Sequence, residues 1–300
     1  MSAVAPHLFA AGYQSDWLEV LGSDFMRSAF VAGLLVAIAS GLLGYFVVIR
    51  RHAFAAHALA HIGFPGATGA VLLGVPVTLG LAVFTVAGAL AIGLFGKRMA
   101  DREIATGSIL AFATGLGLLF TSLGTRSSTK EVTNVLFGNL LAVSSDQLVV
   151  FAAFTVLLAV VVAWIARPLA FSSVNPDVAE ARGVPVRALG VAFLVLLALV
   201  ITMAVQVVGT LLLFGLVVTP TATALALSAR PVVVWLLGTA IAAGSVVVGL
   251  VLSAMFNLPP SFFIVSTSFL AWLAALAATR DRHRPSPGAA GPPSPHAAPH

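Results

Sequence analysis

Residues 30–51 read FVAGLLVAIASGLLGYFVVIRR: an uncharged run from Phe30 to Ile49, closed by Arg50 and Arg51. A helix rises about 1.5 Å per residue, so such a run is about 30 Å long, the thickness of a bilayer's hydrocarbon core. The pattern recurs along the chain. Ala53 to Leu73 ends at a Gly74-Val75-Pro76 turn, and Val77 to Phe95 stops before Lys97 and Arg98. Ile104 to Leu123 precedes a polar loop with Arg126, Lys130 and Glu131, followed by a half-apolar stretch, Val135 to Val143. Leu148 to Ile165, Val232 to Met255 and Phe262 to Ala278 are further spans. The run from Ala188 to Leu227 is too long for one helix and divides near Gln206 to Gly209. The expected fold is an all-α integral membrane bundle of 8–9 transmembrane helices, nine if that division makes two crossings.

Composition agrees. Hydrophobic residues make up 60% of the chain and charged residues 8%, against about a quarter charged in a soluble domain. The formal charge of +5 reads as basic cytoplasmic loops rather than nucleic-acid binding. Placing Arg50 and Arg51 inside also puts Lys97, Arg98, Arg102, Arg167, Arg182, Arg187, Arg230, Arg280, Arg282 and Arg284 inside, leaving Arg27, Arg126 and Lys130 outside. The N-terminus is then extracytoplasmic and the C-terminus cytoplasmic. Residues 1–27 are expected to be an extracytoplasmic segment with no cleaved signal, since Asp16, Glu19 and Asp24 occupy it with no basic stretch ahead of an apolar one. Residues 28–279 are the membrane domain. Residues 280–300 form a Pro/Ala/Gly/Ser-rich tail expected to be disordered, and its His283, His296 and His300 read as incidental rather than metal-collecting.

The chain has no cysteine, so any transition-metal site uses His, carboxylate or carbonyl ligands. His57 and His61 are the ionisable side chains well inside a span. Such groups are costly in hydrocarbon and mark ion or substrate paths. Spaced four residues apart, they share one helical face and suit one metal ion near the membrane midplane. The bland alternative is a pair of histidines bonded to neighbouring helices. Pro65 follows, and a carbonyl it frees could add a ligand, but ordinary helix packing is the better explanation of it. Gln206, near the helix break, either lines a pathway or bonds across helices. Residues 175–187, NPDVAEARGVPVR, read as a short cytoplasmic helix started by Pro176 and stopped by Gly183 and Pro185. Its use is docking, or simply connection. No G-x-x-x-x-G-K-[ST] phosphate loop occurs, so an ATP-driven process needs a second chain, and no catalytic residues are expected.

Several stretches taken in order resemble the zinc/manganese-type ABC importer permeases. They are Phe25-Met-Arg-Ser-Ala, Gly44-Tyr-Phe-Val-Val-Ile-Arg-Arg51, His57-Ala-Leu-Ala-His61 before Pro65-Gly66, Glu103-Ile-Ala-Thr-Gly107, Leu136-Phe-Gly-Asn-Leu-Leu-Ala-Val-Ser144, Ala181-Arg-Gly-Val-Pro185, Val208-Gly-Thr-Leu-Leu and Thr219-Pro-Thr-Ala-Thr223. The resemblance implies a type II ABC importer permease in the inner (cytoplasmic) membrane. It also implies a homodimer, two copies of an ATP-binding subunit and an extracytoplasmic solute-binding protein that delivers the ion. Asn175 to Val186 would be the coupling helix on the ATPase, presenting Asn175, Asp177, Glu180, Arg182 and Gly183. The family commonly carries Asp four residues before the motif's His; here His57 stands in that place. Two imidazoles favour Zn²⁺ over Mn²⁺, so the expected cargo is zinc, with manganese second and no resident cofactor. The competing reading is a secondary, proton-coupled transporter using the same histidines.

Overall fold

The computed structural model describes residues 17–95, 99–124, 133–210 and 213–279. Residues 1–16 of the N-terminal segment, the His-bearing tail 280–300, and Lys97, Arg98, Arg126 and Lys130 lie outside these residues. Among the described residues all regular structure is helical. The helices are α1 (Trp17–Gly22), α2 (Asp24–Ile49), α3 (Ala53–Leu73), α4 (Val77–Phe95), α5 (Met99–Leu123), α6 (Ser145–Val174), α7 (Pro176–Ala181), α8 (Val186–Val208), α9 (Leu213–Val217), α10 (Thr219–Leu227), α11 (Pro231–Phe256) and α12 (Pro260–Thr279).

Their ends follow local chemistry. Gly74 closes α3 in the left-handed region at φ +67°, which only glycine adopts without cost. The Ser144 hydroxyl accepts from the Gln147 amide while the Gln147 side chain accepts from the Ser144 amide, a capping box that starts α6. α6 runs on to Val174, beyond the expected end at Ile165. Arg167, exposed, and Pro168, half-buried, lie within this continuous helix, whose last turn holds Ser172 buried.

Among the described residues eight helices are long and apolar enough to span, and contacts between them give their relative directions. Gly33 and Gly41 of α2 meet Val246 and Thr239 of α11, so these two run antiparallel. Gly66 meets Gly80 backbone to backbone and Ile62 meets Gly88, making α3 and α4 antiparallel as well. Gly93 meets Val191, and Thr78 bonds Gln206, so α4 and α8 are antiparallel too. The ends of α2, α4 and α6 and the starts of α3, α8 and α11 therefore gather at one end of the bundle. α8 finishes at the opposite end. The chain must return across the bundle between Gly209 and Pro231, and it does so through α9 and α10. Gly215 of α9 meets Val265 of α12, and Thr221 of α10 meets Gly44 of α2. The expected division near Gln206 to Gly209 is thus present, and the seventh passage is two short helices broken at Val218 rather than one span.

The least apolar span is the most buried. α3 has a mean hydropathy of 1.2 with 67% of its span inside, whereas α6 has 2.9 with 22% inside. α2, α3 and α8 form the interior, and α4, α5, α6, α11 and α12 surround them with surfaces suited to lipid. Hydropathy reports the lipid-facing helices most strongly. A polar, glycine-rich helix inside the ring is where a site would be built.

Candidate functional site

α3 presents Ile62, Gly63 and Gly66 to α4, where Gly63 meets Leu81 and Thr85. His61 precedes Gly63 by two residues, hence about 200° round the helix, on the side turned away from α4. His57, His61, Phe64 and Thr68 form one stripe. Its upper end is covered by α5: the Thr68 hydroxyl lies 3.5 Å from the Gly117 carbonyl, and Phe64 packs on Gly117. The histidine end is half-exposed, although Ala58, Leu59 and Ala60, which separate the two histidines in the chain, are fully buried.

The two imidazoles sit 4.8 Å apart between ring centroids, with their planes at 68°. That spacing fits joint ligation of one ion. A metal–nitrogen bond of about 2.1 Å puts each ring centroid roughly 3.2 Å from the ion, and a tetrahedral angle then separates the centroids by roughly 5 Å. Among the described residues, no third His, Cys, Asp or Glu joins them. Pro65 lies inside α3, four residues after His61. Lacking an N–H, it leaves the His61 carbonyl without its helical donor, so the freed oxygen belongs to a candidate ligand residue itself. Neighbouring carbonyls are engaged: the Thr68 hydroxyl is within 3.2 Å of the Phe64 carbonyl and 3.3 Å of the Pro65 carbonyl.

Gln206 is placed elsewhere. Its Oε1 accepts from the Thr78 hydroxyl at 2.8 Å and its Nε2 donates to the Thr202 carbonyl at 2.9 Å. It lines a cavity of about 170 Å³ with Thr78, Asn134, Asn139 and Gln147 at the far end of the bundle. Ile62 packs at the level of Gly88 on α4, so Thr78 and Gln206 lie about 15 Å further along the axis than the histidines. The structure does not bring Gln206 to the His pair. One turn below it, the Thr202 hydroxyl meets that of Thr85 at 2.7 Å, tying α8 to α4.

The stretch 175–186 forms the expected short helix. The Asn175 side chain accepts from the Val178 amide at 3.2 Å, Pro176 opens α7, and Gly183 follows it at φ +81°. Ala179 is buried against the bundle, while Asn175, Asp177, Glu180, Arg182 and Gly183 are exposed. α7 thus sits at the same end as Arg50, Arg167 and Arg230, the end assigned to the cytoplasm by the charge distribution.

Sequence reading passed over a cluster at this end. The Arg50 guanidinium donates to the Ser172 and Ser173 hydroxyls at 3.2 and 3.1 Å and lies 3.4 Å from the Leu169 carbonyl. It also covers the Phe193 ring at 5.6 Å. The partners are more than a hundred residues apart in the chain, and no local pattern announces them.

Residues 22–279 match the ABC 3 transport family. The manganese transport system membrane protein MntC of Halalkalibacterium halodurans is 31% identical over 250 residues, covering 82% of this chain and 85% of that protein. The manganese import system permease protein ScaB of Streptococcus gordonii is 28% identical, covering 83% and 89%. The structure of PsaBC from Streptococcus pneumoniae in complex with Fab superposes with a TM-score of 0.78 at 25% identity, covering 87% of this chain and 95% of that one.

Proposed function

The chain belongs to the ABC 3 transport family, and from that premise we propose that it is the permease of an ABC importer that carries a divalent metal ion, Zn²⁺ in preference to Mn²⁺. It is a multi-pass cell-membrane protein and a transport subunit rather than an enzyme. ATP hydrolysis is the work of a separate subunit, and an extracytoplasmic binding protein supplies the ion.

The observation that carries the metal reading is the His57–His61 pair, 4.8 Å apart on the interior helix α3. Divalent ions lose hydration only where ligands replace it, and a transit site must hold them weakly enough to release them. Two neutral imidazoles without a fixed carboxylate meet that condition. Their half-exposed face leaves room for water or for ligands from a second copy, which suits the homodimer expected from the family resemblance. The relatives named for manganese keep Mn²⁺ as the second cargo; the nitrogen-only pair favours zinc.

We assign α7 to ATPase docking, because it presents exposed Asp177, Glu180 and Arg182 on a buried Ala179 anchor. The deciding experiment is uptake of Zn²⁺ and Mn²⁺ into proteoliposomes containing the permease, its ATPase and its binding protein. The His57→Ala/His61→Ala variant is expected to assemble and to lose uptake of both ions. Normal uptake by that variant would sink the assignment.

A further inference from the structure

The α2–α3 turn, residues 50–52, is held from both sides of α7. On the side where the chain enters α7, the Arg50 guanidinium bonds the Ser172 and Ser173 hydroxyls in the last turn of α6. On the side where it leaves, the same guanidinium covers the ring of Phe193, fully buried in the second turn of α8. The turn is tied internally as well. His52 Nδ1 lies 2.7 Å from the Arg50 carbonyl, and the His52 ring meets Phe193 edge to face at 5.6 Å. His52, 7% exposed, is the residue from which α3 starts, and His57 lies five residues on. α7 itself is fastened to α6, since the Arg182 guanidinium lies over the Phe171 ring at 5.9 Å.

We propose that Arg50 is a positioning residue that transmits movement of α7 to the histidine pair. It binds the two helix ends that flank α7 and the turn that begins α3. When the ATPase displaces α7, the end of α6 and the start of α8 move with it. A planar guanidinium held by hydroxyls on one helix and an aromatic face on another carries that displacement to residues 50–52 and so to His57 and His61. Lysine offers a charge but neither the fork nor the stacking plane. Coupling of this kind is carried by contiguous packed and hydrogen-bonded groups; here direct contacts lead from α7 through the end of α6 to residues 50–52, and the α3 backbone leads from there to the histidines. The inference rests on the reading of α7 as the ATPase-docking helix and of the histidines as the ion path.

The test uses the complete transporter in proteoliposomes and reads Zn²⁺ uptake and ATP hydrolysis side by side. Arg50→Met and, separately, Ser172→Ala/Ser173→Ala are expected to hydrolyse ATP while uptake per ATP falls roughly tenfold, because small misplacements far from a site cost factors of this order or more. Arg50→Lys is expected to recover only part of the loss. A purely structural defect lowers both activities together and leaves their ratio unchanged, and that result, like an unchanged uptake, overturns the proposal. Should Arg50→Met fail to assemble, the serine variant decides, since it retains the arginine and its stacking. His57→Ala/His61→Ala in the same assay separates the two levels. Normal uptake there refutes the ion path, whereas lost uptake there with normal coupling in the Arg50 and serine variants refutes the transmission role alone.

Discussion

The ring of His57 meets that of His61 edge to face, 4.8 Å away on the next turn of α3, on the helix that is both the least apolar and the most buried of the eight long spans. Replacing His57 by Asp exchanges a nitrogen ligand for a charged oxygen one. His57→Asp is therefore expected to raise the Mn²⁺-to-Zn²⁺ uptake ratio, measured by metal content of loaded proteoliposomes; an unchanged ratio would show that His57 does not contact the ion.

Gly66 and Gly80 bring α3 and α4 together so closely that a methyl group on either would overlap the other's backbone. Gly66→Ala must push the helices apart. We expect a loss of about 1–3 kcal/mol, the usual cost of overpacking, read as a lower unfolding temperature in detergent. Gly22→Ala, where nothing lies within 4 Å of the added carbon, serves as the control and should be close to neutral.

The Thr85–Thr202 bond at 2.7 Å joins α4 to α8 below the Gln206 cavity. Interhelical hydrogen bonds in membranes average about 0.6 kcal/mol and reach about 1.7. A double-mutant cycle with Thr85→Val and Thr202→Val should return a coupling energy in that range. A value indistinguishable from zero would mean that the hydroxyls act only through the carbonyls of their own helices.

Asp177 and Glu180 are exposed on α7. Asp177→Lys/Glu180→Lys reverses the charge of this surface without touching the buried Ala179 anchor. Capture of the ATPase subunit on the tagged permease is expected to be lost while the permease still inserts. Retained capture would assign docking to another part of the cytoplasmic end.

The passage through α9 and α10 fixes where Ala229 emerges. Because the chain has no cysteine, Gly22→Cys and Ala229→Cys can be labelled singly with a membrane-impermeant maleimide. Gly22→Cys should react in intact cells and Ala229→Cys only after permeabilisation. Reaction of both in intact cells would mean that α9 and α10 fold back without crossing.

Much of the bundle was legible in the sequence because charges and glycine-proline turns delimit its spans. α3 and α4 begin and end where Arg51, Gly74-Val75-Pro76 and Lys97 place them. The break after Gln206 was legible from run length. α6 was not, since the polar Arg167-Pro168 pair reads as a loop while the helix simply continues through it to Val174. The division of residues 213–227 at Val218 had only Pro220 as a cue. In the site, the His pair was visible as polarity where none is expected, and α7 through Pro176 and Gly183. The Arg50 contacts with Ser172, Ser173 and Phe193 were invisible, because each residue alone is an ordinary end-of-span residue. The same holds for the close approach of Gly138 and Gly209, where φ values of +75° and +87° let two backbones touch. There the Asn139 amide donates to the Gln206 carbonyl at 3.1 Å and the Thr210 amide to the Val135 carbonyl at 2.9 Å.

Pro65 divides α3 into unequal arms. Below it lie the twelve residues from Ala53 to Phe64, an arm of about 18 Å that carries both histidines. With one rung of the ladder absent at His61, flexure concentrates at that fulcrum rather than spreading along the helix. A 20° bend there sweeps the Ala53 end through about 6 Å and the His57 position through rather less. A small angular change at one proline is thus geared into a displacement of about 4 Å at His57 and about 2 Å at His61, so that the two rings move by unequal amounts.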